Sequence, residues 1–316
     1  MAAATLLLPP ASRFAAQALP VAVARALGRA DVAPPGQAGT AAQLQRHFEL
    51  LPRGWPVAAL TRSIDAGDAA SARWLRADPA WVRPDINGAR LFATGDGLGL
   101  AREDADALLP SLRTLFGDAG FPIDAPSPSR WYLRLPPGSA LPAFAAPEDA
   151  LGTDLFDALV GTGPSRDTQA RRWRSLLSEA QVILHNHPWN AQRAQRGLAP
   201  VNSLWFWGGG ALPDHVATPF ARVLGEDVLL RSLATGAGAE LARAGEAWKT
   251  PAADALVDLR DARDIGPLST QWLLPAIAAV QGGDLDVLVL DCGDGRSWRL
   301  LRRHRWRFWR KPAGLR

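Results

Sequence analysis

The chain has 316 residues, 47% apolar, 21% charged and 8% aromatic, a mixture that excludes a disordered or fibrous chain and leaves room for one large or two ordinary domains. A single cysteine, Cys292, excludes an internal disulfide framework and a Cys-rich zinc site, and no apolar run nears the roughly 20 residues of a membrane span. The net charge of +4 is unevenly spread: Arg299, Arg302, Arg303, Arg305, Arg307, Arg310, Lys311 and Arg316 close the chain with no acid among them, so the preceding residues are net acidic.

Thr5–Leu8 reads as an opening strand, stopped by Pro9-Pro10. No Lys or Arg precedes this short apolar run, so no secretory signal is expected, and the lone thiol fits a cytoplasmic protein. Helices are expected at Arg13–Leu27 and Ala41–Leu51, followed by short Ala-rich segments at Ala58–Ala66 and Ala69–Ala77. Asp78–Pro84 runs into Asn87-Gly88, a turn dipeptide; Ala89–Ala93 reads as a strand, and Arg102–Phe116 as a helix whose first turn carries Glu103, Asp104 and Asp106. Prolines crowd the stretch 122–147, around a short strand at Trp131–Leu135, and mark a linker or covering loop. The expected organisation is an N-terminal region 1–121, this stretch, and a C-terminal region 148–316.

Beyond it, Ser165–Glu179 reads as a helix and Val182–Leu184 as a buried strand ending in His185-Asn186-His187-Pro188. Asn190–Arg196 is a short helix with Asn190 as N-cap and Gly197 as its stop. Val201–Trp207 is a strand running into Gly208-Gly209-Gly210. Helices are expected within Phe220–Gly236 and at Thr270–Val280, and the strands Leu285–Asp291 and Trp298–Trp309 form a closing antiparallel hairpin. Strands alternating with helices predict an α/β fold with a mostly parallel sheet flanked by helices.

Ligands of α/β sheets sit beyond strand carboxyl ends, which singles out His185, His187, Asn190, Arg193, Asn202, Gly208, Gly209 and Gly210 as a candidate ligand-binding set. Backbone N–H groups of a triple-glycine turn donate well to phosphate oxygens, and arginine adds charge-assisted bonds. The structural alternative is a loop whose histidines bond backbone carbonyls and whose arginines lie on a solvated face.

The pattern His187-Pro188-x-Asn190-x-x-Arg193-x-x-x-Gly197-x-x-Pro200-x-Asn202, followed by Gly208-x-Gly210, resembles a segment of the archaeal-type cofactor-independent phosphoglycerate mutases of the alkaline phosphatase superfamily. Over its whole length, on Asp78-Pro79-x-x-Val82-Arg83-Pro84-Asp85, the Asn202–Gly210 segment and the Trp/Arg-rich terminus, the chain is similar to a bacterial regulatory family of the RpfE type, members of which are often named phosphoglycerate mutase. The resemblance implies an alkaline-phosphatase-like fold in part and an isomerase or phosphatase chemistry of phosphoryl transfer. Those mutases use a Ser nucleophile and two divalent metals held by Asp and His. Here the first strand ends without an acid, and Asp291-Cys292-Gly293-Asp294-Gly295 brings no histidine. The expectation is therefore no resident metal or other cofactor, with manganese the divalent ion to test. His185 and His187 with Asp214 and His215 could be combined as one zinc or manganese site, but rings of an extended His-x-His point to opposite sides.

The terminus Ser297–Lys311 interleaves arginines with Trp298, Trp306, Phe308 and Trp309. That chemistry suits RNA, single-stranded DNA or an anionic membrane; the simpler reading is an edge strand, and nucleic acid is not the expected partner. Cys292 has no neighbouring histidine in sequence and reads as a buried thiol. Three functions follow: a mutase-like protein without the two-metal site that binds a small phosphorylated or anionic ligand; a non-catalytic regulatory protein with a protein partner; and a nucleic-acid binder acting through its tail.

Overall fold

Ala3–Leu8 is buried along nearly its whole length, as a strand must be when both faces of its sheet are covered. It is the central strand of a seven-stranded sheet in the computed structural model, which describes residues 2–14, 17–85, 88–150 and 168–315. The order across this sheet is Glu240–Ala242, Arg222–Leu224, Ala255–Asp258, Ala3–Leu8, Val287–Cys292, Ser297–Leu301 and Asp31–Val32. The first five run parallel, Ser297–Leu301 runs against them as the expected hairpin with Val287–Cys292, and the edge strand Asp31–Val32 pairs antiparallel with Ser297–Leu301, so it runs in the direction of the first five. Leu6, Leu8, Val257, Leu288 and Leu290 point to one face, where Val23 and Leu27 of the helix Val21–Arg29 and Ile277 and Val280 of the helix Leu274–Gly282 meet them.

The described residues up to Arg53 and from Asp214 onward make up one compact unit, and those between Gly54 and Pro213 the other. The second unit carries an antiparallel sheet in which the long strand Arg73–Asp85 pairs with Gly88–Thr94, Arg130–Leu135 and Ser203–Gly210, and Ile123–Ser127 adds to Arg130–Leu135. One face packs Leu75, Ala77, Leu133 and Phe206 against Leu108, Leu112 and Phe116 of the helix Arg102–Asp118 and Trp173 and Leu177 of the helix Thr168–His185. The other face sets Trp74 and Tyr132 against Ala58 and Ala59 of the helix Val57–Asp65.

Several expectations are corrected. Val182–Leu184 is the end of the helix Thr168–His185, not a strand. Asp78–Pro84, given no element from sequence, is strand: at Pro79 the Gly88–Thr94 and Arg130–Leu135 ladders have both stopped, so only the Ser203–Gly210 ladder is present and the missing N–H is tolerated. Gly208–Gly210 continue the strand Ser203–Gly210 instead of forming a loop. The segment read as one helix at Arg13–Leu27 is a 3₁₀ turn Ala11–Phe14 and the helix Val21–Arg29, and Ala41–Leu51 divides into the helix Thr40–Gln45 and the strand Glu49–Leu51. The closing strand stops at Leu301 and a 3₁₀ turn, Arg302–Trp306, follows. The stretch 122–147 holds two strands of the second sheet, and the compact units divide elsewhere. Asn87 and Ser165 lie outside the described residues. Among the described residues no helix is long and apolar enough to cross a membrane.

Candidate functional site

The eight residues singled out from sequence all lie in the second unit, where most of their polar groups are engaged by the protein itself. Asn190 sits inside the helix Trp189–Gln195, which begins after Pro188, so it is not the N-cap. Its Nδ2 donates to the Leu184 and Val201 carbonyls at 2.8 and 3.0 Å, and its Oδ1 accepts from the Val201 N–H at 2.9 Å. Asn202 is paired in the same way to both backbone groups of Val82, at 2.9 and 2.8 Å. Arg193 is fully buried; its Nε donates to Ala199 O and its Nη2 to Leu98 O, at 2.9 and 2.8 Å. Its Nη1 lies 2.7 Å from Asp104 Oδ2, an ion pair whose angle falls short of a hydrogen bond.

Asp104 also accepts from the Trp189 indole N–H, Arg196 Nη2 and the Ala101 N–H. His187 is half-buried and held below its ordinary pKa by burial, its Nδ1 accepting from the Trp189 N–H; His185 is exposed at the end of its helix. The three glycines permit close approach: a Cβ at Gly208 would lie 2.8 Å from Val57 Cβ, one at Gly209 2.4 Å from Leu141 Cδ1, and one at Gly210 2.6 Å from Pro56 Cβ. This set is brought together as a brace of strand, helix and loop.

A second polar assembly in the same unit is equally self-contained. Arg76 and Asp78, both buried, form a forked pair at 2.7 and 2.9 Å, and the Trp207 indole donates to Asp78 at 2.6 Å. Burial pushes the Asp78 carboxyl up, while Arg76 pulls it back.

The first unit contains the carboxyl edge of the parallel sheet. Asp258 and Asp291 are both register partners of Leu7, one on each flanking strand, so they stand about 10 Å apart, twice the ~4.8 Å strand spacing. Arg260 grips Asp258 at 2.7 and 2.6 Å and reaches Asp227, the cap of the helix Val228–Gly236, at 3.3 Å. Asp291 receives Arg46 Nη2 at 2.6 Å and Nε at 3.1 Å, and His47 Nε2 lies 2.6 Å away. Gln43 ties this pair to the strand ends through Leu8 O and Asp291 O. The carboxylate charge at this edge is met by guanidinium groups, a donor set that does not fit a pair of divalent metals. Among the described residues no group of three His, Cys, Asp or Glu converges, and His185 and His187 belong to a different unit from Asp214 and His215. Cys292 is buried, and burial with Asp294 and Asp291 pushes its thiol well up, against any role as nucleophile.

A different feature of this unit has chemistry to spare. A cavity of about 240 Å³ lies against the strands Arg222–Leu224 and Ala255–Asp258, walled by Trp248, Lys249, Arg243 and Trp272. Arg222 Nη2 donates to Glu240 at 3.0 Å, yet its buried Nε has no partner. The Trp248 indole N–H is also buried and unpartnered, although its backbone N–H donates to Gln271 O at 2.8 Å. Buried donors left without acceptors are uncommon and ask for an acceptor. Lys249 has no ion pair among the described residues and Arg243 pairs only with the exposed Glu226. A more open depression of about 480 Å³ meets the cavity at Ala242 and Arg243 and adds Arg231. Sequence reading passed over this set; its one local signal is Lys249, one of only two lysines, beside a tryptophan.

No protein-family profile matches the chain. A stretch of 67 residues, 21% of the chain, is 33% identical to a probable 2,3-bisphosphoglycerate-independent phosphoglycerate mutase of Geobacter sulfurreducens and covers 16% of it. A stretch of 74 residues is 34% identical to the 2,3-bisphosphoglycerate-independent phosphoglycerate mutase of Methanosarcina barkeri, covering 23% of this chain and 17% of that one. The alignments thus span only a small part of those relatives. Among solved structures, the cofactor-independent phosphoglycerate mutase from Thermoplasma acidophilum overlaps 95% of this chain and 89% of its own at 16% identity and a TM-score of 0.42. The PH0037 protein from Pyrococcus horikoshii overlaps 95% and 87% at 13% identity and a TM-score of 0.46. The chain is a mixed α/β protein that resembles the cofactor-independent phosphoglycerate mutases over a short part of its sequence.

Proposed function

We propose that this chain is a phosphoglycerate-mutase-like protein of the RpfE regulatory type that binds a small phosphorylated or carboxylate anion and does so without a two-metal centre. Arg222 and Trp248, whose buried Nε and indole N–H have no partner, line a cavity flanked by Arg243 and Lys249, and this carries the reading. At roughly 30 Å³ per water, about 240 Å³ equals some eight waters, enough for a phosphate or a three-carbon acid. Arg222 and Lys249 supply charge-assisted bonds, the Trp248 N–H a neutral one, and the ring of Trp272 an apolar wall. The arginine-filled carboxyl edge supports a binding role over metal-dependent phosphoryl transfer. The candidate loop around Arg193 is assigned to support of the fold, since its polar groups already have partners.

Calorimetry of the full chain with inorganic phosphate and 3-phosphoglycerate, with Mn²⁺ and with chelator, tests the proposal. The expected result is binding indifferent to Mn²⁺ and weakened about 10- to 100-fold by Arg222→Gln, the range for losing a hydrogen bond to a charged group. Absence of heat, or an Arg222→Gln protein that binds as well as wild type, refutes the cavity. Mn²⁺-dependent turnover of phosphoglycerate refutes the metal-free reading.

A further inference from the structure

The basic terminus holds an ordered aromatic display that neither the sheet nor the cavity uses. From the end of the 3₁₀ turn Arg302–Trp306 onward, three large aromatic side chains face solvent within four residues: Trp306 is 64% exposed, Phe308 76% and Trp309 68%. The backbone that carries them is fastened on both sides. Arg307 Nη1 donates to Asp31 Oδ1 at 2.6 Å and to Arg29 O at 3.0 Å. Arg29 Nη1 returns a bond to Arg305 O, and Arg305 Nη1 donates to Gln281 O, both at 3.1 Å. Beyond the aromatics, Ala313 N–H bonds Ala24 O at 2.9 Å and Leu315 is buried, its carbonyl held by Arg296. Gly28 lets this returning segment close in, for a Cβ there would lie 1.9 Å from Lys311 O.

The rings are therefore held outward by a fixed bracket, where solvent exposure of so much apolar area is unfavourable unless something covers it. The covering surface must also be anionic. Arg303, Arg305, Arg310 and Lys311 form no ion pair with a carboxylate among the described residues, and no acid follows Asp294 in the sequence. Asp31, the nearest anchoring carboxylate, is already taken up by Arg307 and His304.

We propose that Trp306, Phe308 and Trp309, with these four cations, dock the protein on an anionic lipid bilayer. The rings enter the boundary between headgroups and acyl chains, and the cations lie among the lipid phosphates. The geometry favours lipid over a nucleic acid. Phe308 and Trp309 meet edge to face, 5.4 Å apart at 81°, so they do not offer two parallel faces to successive bases. The Arg305 guanidinium covers one face of Trp306 at 4.9 Å. Insertion into a headgroup layer needs only ring depth, and this inference stands apart from the anion cavity.

Sedimentation of the full chain with phosphatidylcholine vesicles, with and without about one third phosphatidylglycerol, tests it beside a single-stranded oligonucleotide. Wild type should partition at least ~10-fold more strongly onto the anionic vesicles and release partly as salt is raised. Acyl-brominated lipid should quench part of its tryptophan emission. The triple variant Trp306→Ser, Phe308→Ser, Trp309→Ser should lose most of the partitioning and that quenching while keeping the wild-type melting temperature. Should that variant fail to fold, the charge-reversed Arg303→Glu, Arg310→Glu, Lys311→Glu protein decides by its loss of anionic preference. No vesicle binding, equal binding to neutral vesicles, binding untouched by both variants, or capture of the oligonucleotide in place of vesicles would each overturn the proposal.

Discussion

Replacing Arg193 by methionine separates a bracing role from a ligand-binding one. Methionine keeps much of the side-chain length, removes the charge and leaves Asp104, itself 1% exposed, without its buried partner. Deleting one member of a buried pair costs about 3–5 kcal/mol. Asp104 would keep Arg196 at 2.8 Å, the Trp189 indole at 2.7 Å and the Ala101 N–H at 2.9 Å, which moves the pair's share to the low end. The carbonyls of Leu98 and Ala199 lose their donor as well, at about 1 kcal/mol each. The total, about 5 kcal/mol, corresponds to a melting shift of about 10–20 °C for a unit of this size. Scanning calorimetry should show the shift in one transition, and calorimetric titration in the cold should give wild-type affinity for phosphate. A loss below about 1 kcal/mol, or an affinity that falls while the fold is intact, would refute the reasoning.

Two further outcomes follow from packing and charge. Gly208→Ala places a Cβ 2.8 Å from Val57 Cβ at a φ of +65°, so strain and overpacking together should cost about 2–4 kcal/mol in chemical denaturation. Burial raises the Asp104 carboxyl, but the Ala101 N–H, the Trp189 indole and Arg193 outweigh it and hold the group below its ordinary value of 3.8. A depressed carboxyl contributes stability above its unfolded pKa and loses it as pH falls through the folded one. Unfolding measured as a function of pH should therefore steepen below about pH 4 in wild type and less so in Asp104→Asn.

The parts of the fold legible from sequence are those in which local pattern and tertiary position agree. Leu6-Leu7-Leu8 is apolar on both faces and is a buried central strand; Arg102–Phe116 has helical spacing and acids in its first turn, and it is a helix. Val182-Ile183-Leu184 misleads because a β-branched run looks like a strand. Yet Trp173, Leu177, Ala180 and Leu184 recur at helical intervals and are buried, while Val182 is exposed. Gly208–Gly210 carry one compositional signal for two uses, a ligand-cradling turn and a strand pressed against Val57 and Pro56. The arginine–carboxylate edge has no sequence signature, and the cationic cavity has only Lys249 beside Trp248. Arg46 and Asp291 are 245 positions apart, and only the sheet's register brings such residues together.

The central place of Ala3–Leu8 also governs how the polypeptide can mature. Its hydrogen-bonding neighbours, Ala255–Asp258 and Val287–Cys292, leave the ribosome some 250–290 residues later, after all of Gly54–Pro213. At about 5–20 residues per second, this greasy segment waits on the order of 15–60 s for partners. During synthesis the intervening unit is free to fold first, while the early strand stays without its sheet partners until the last part of the chain is made.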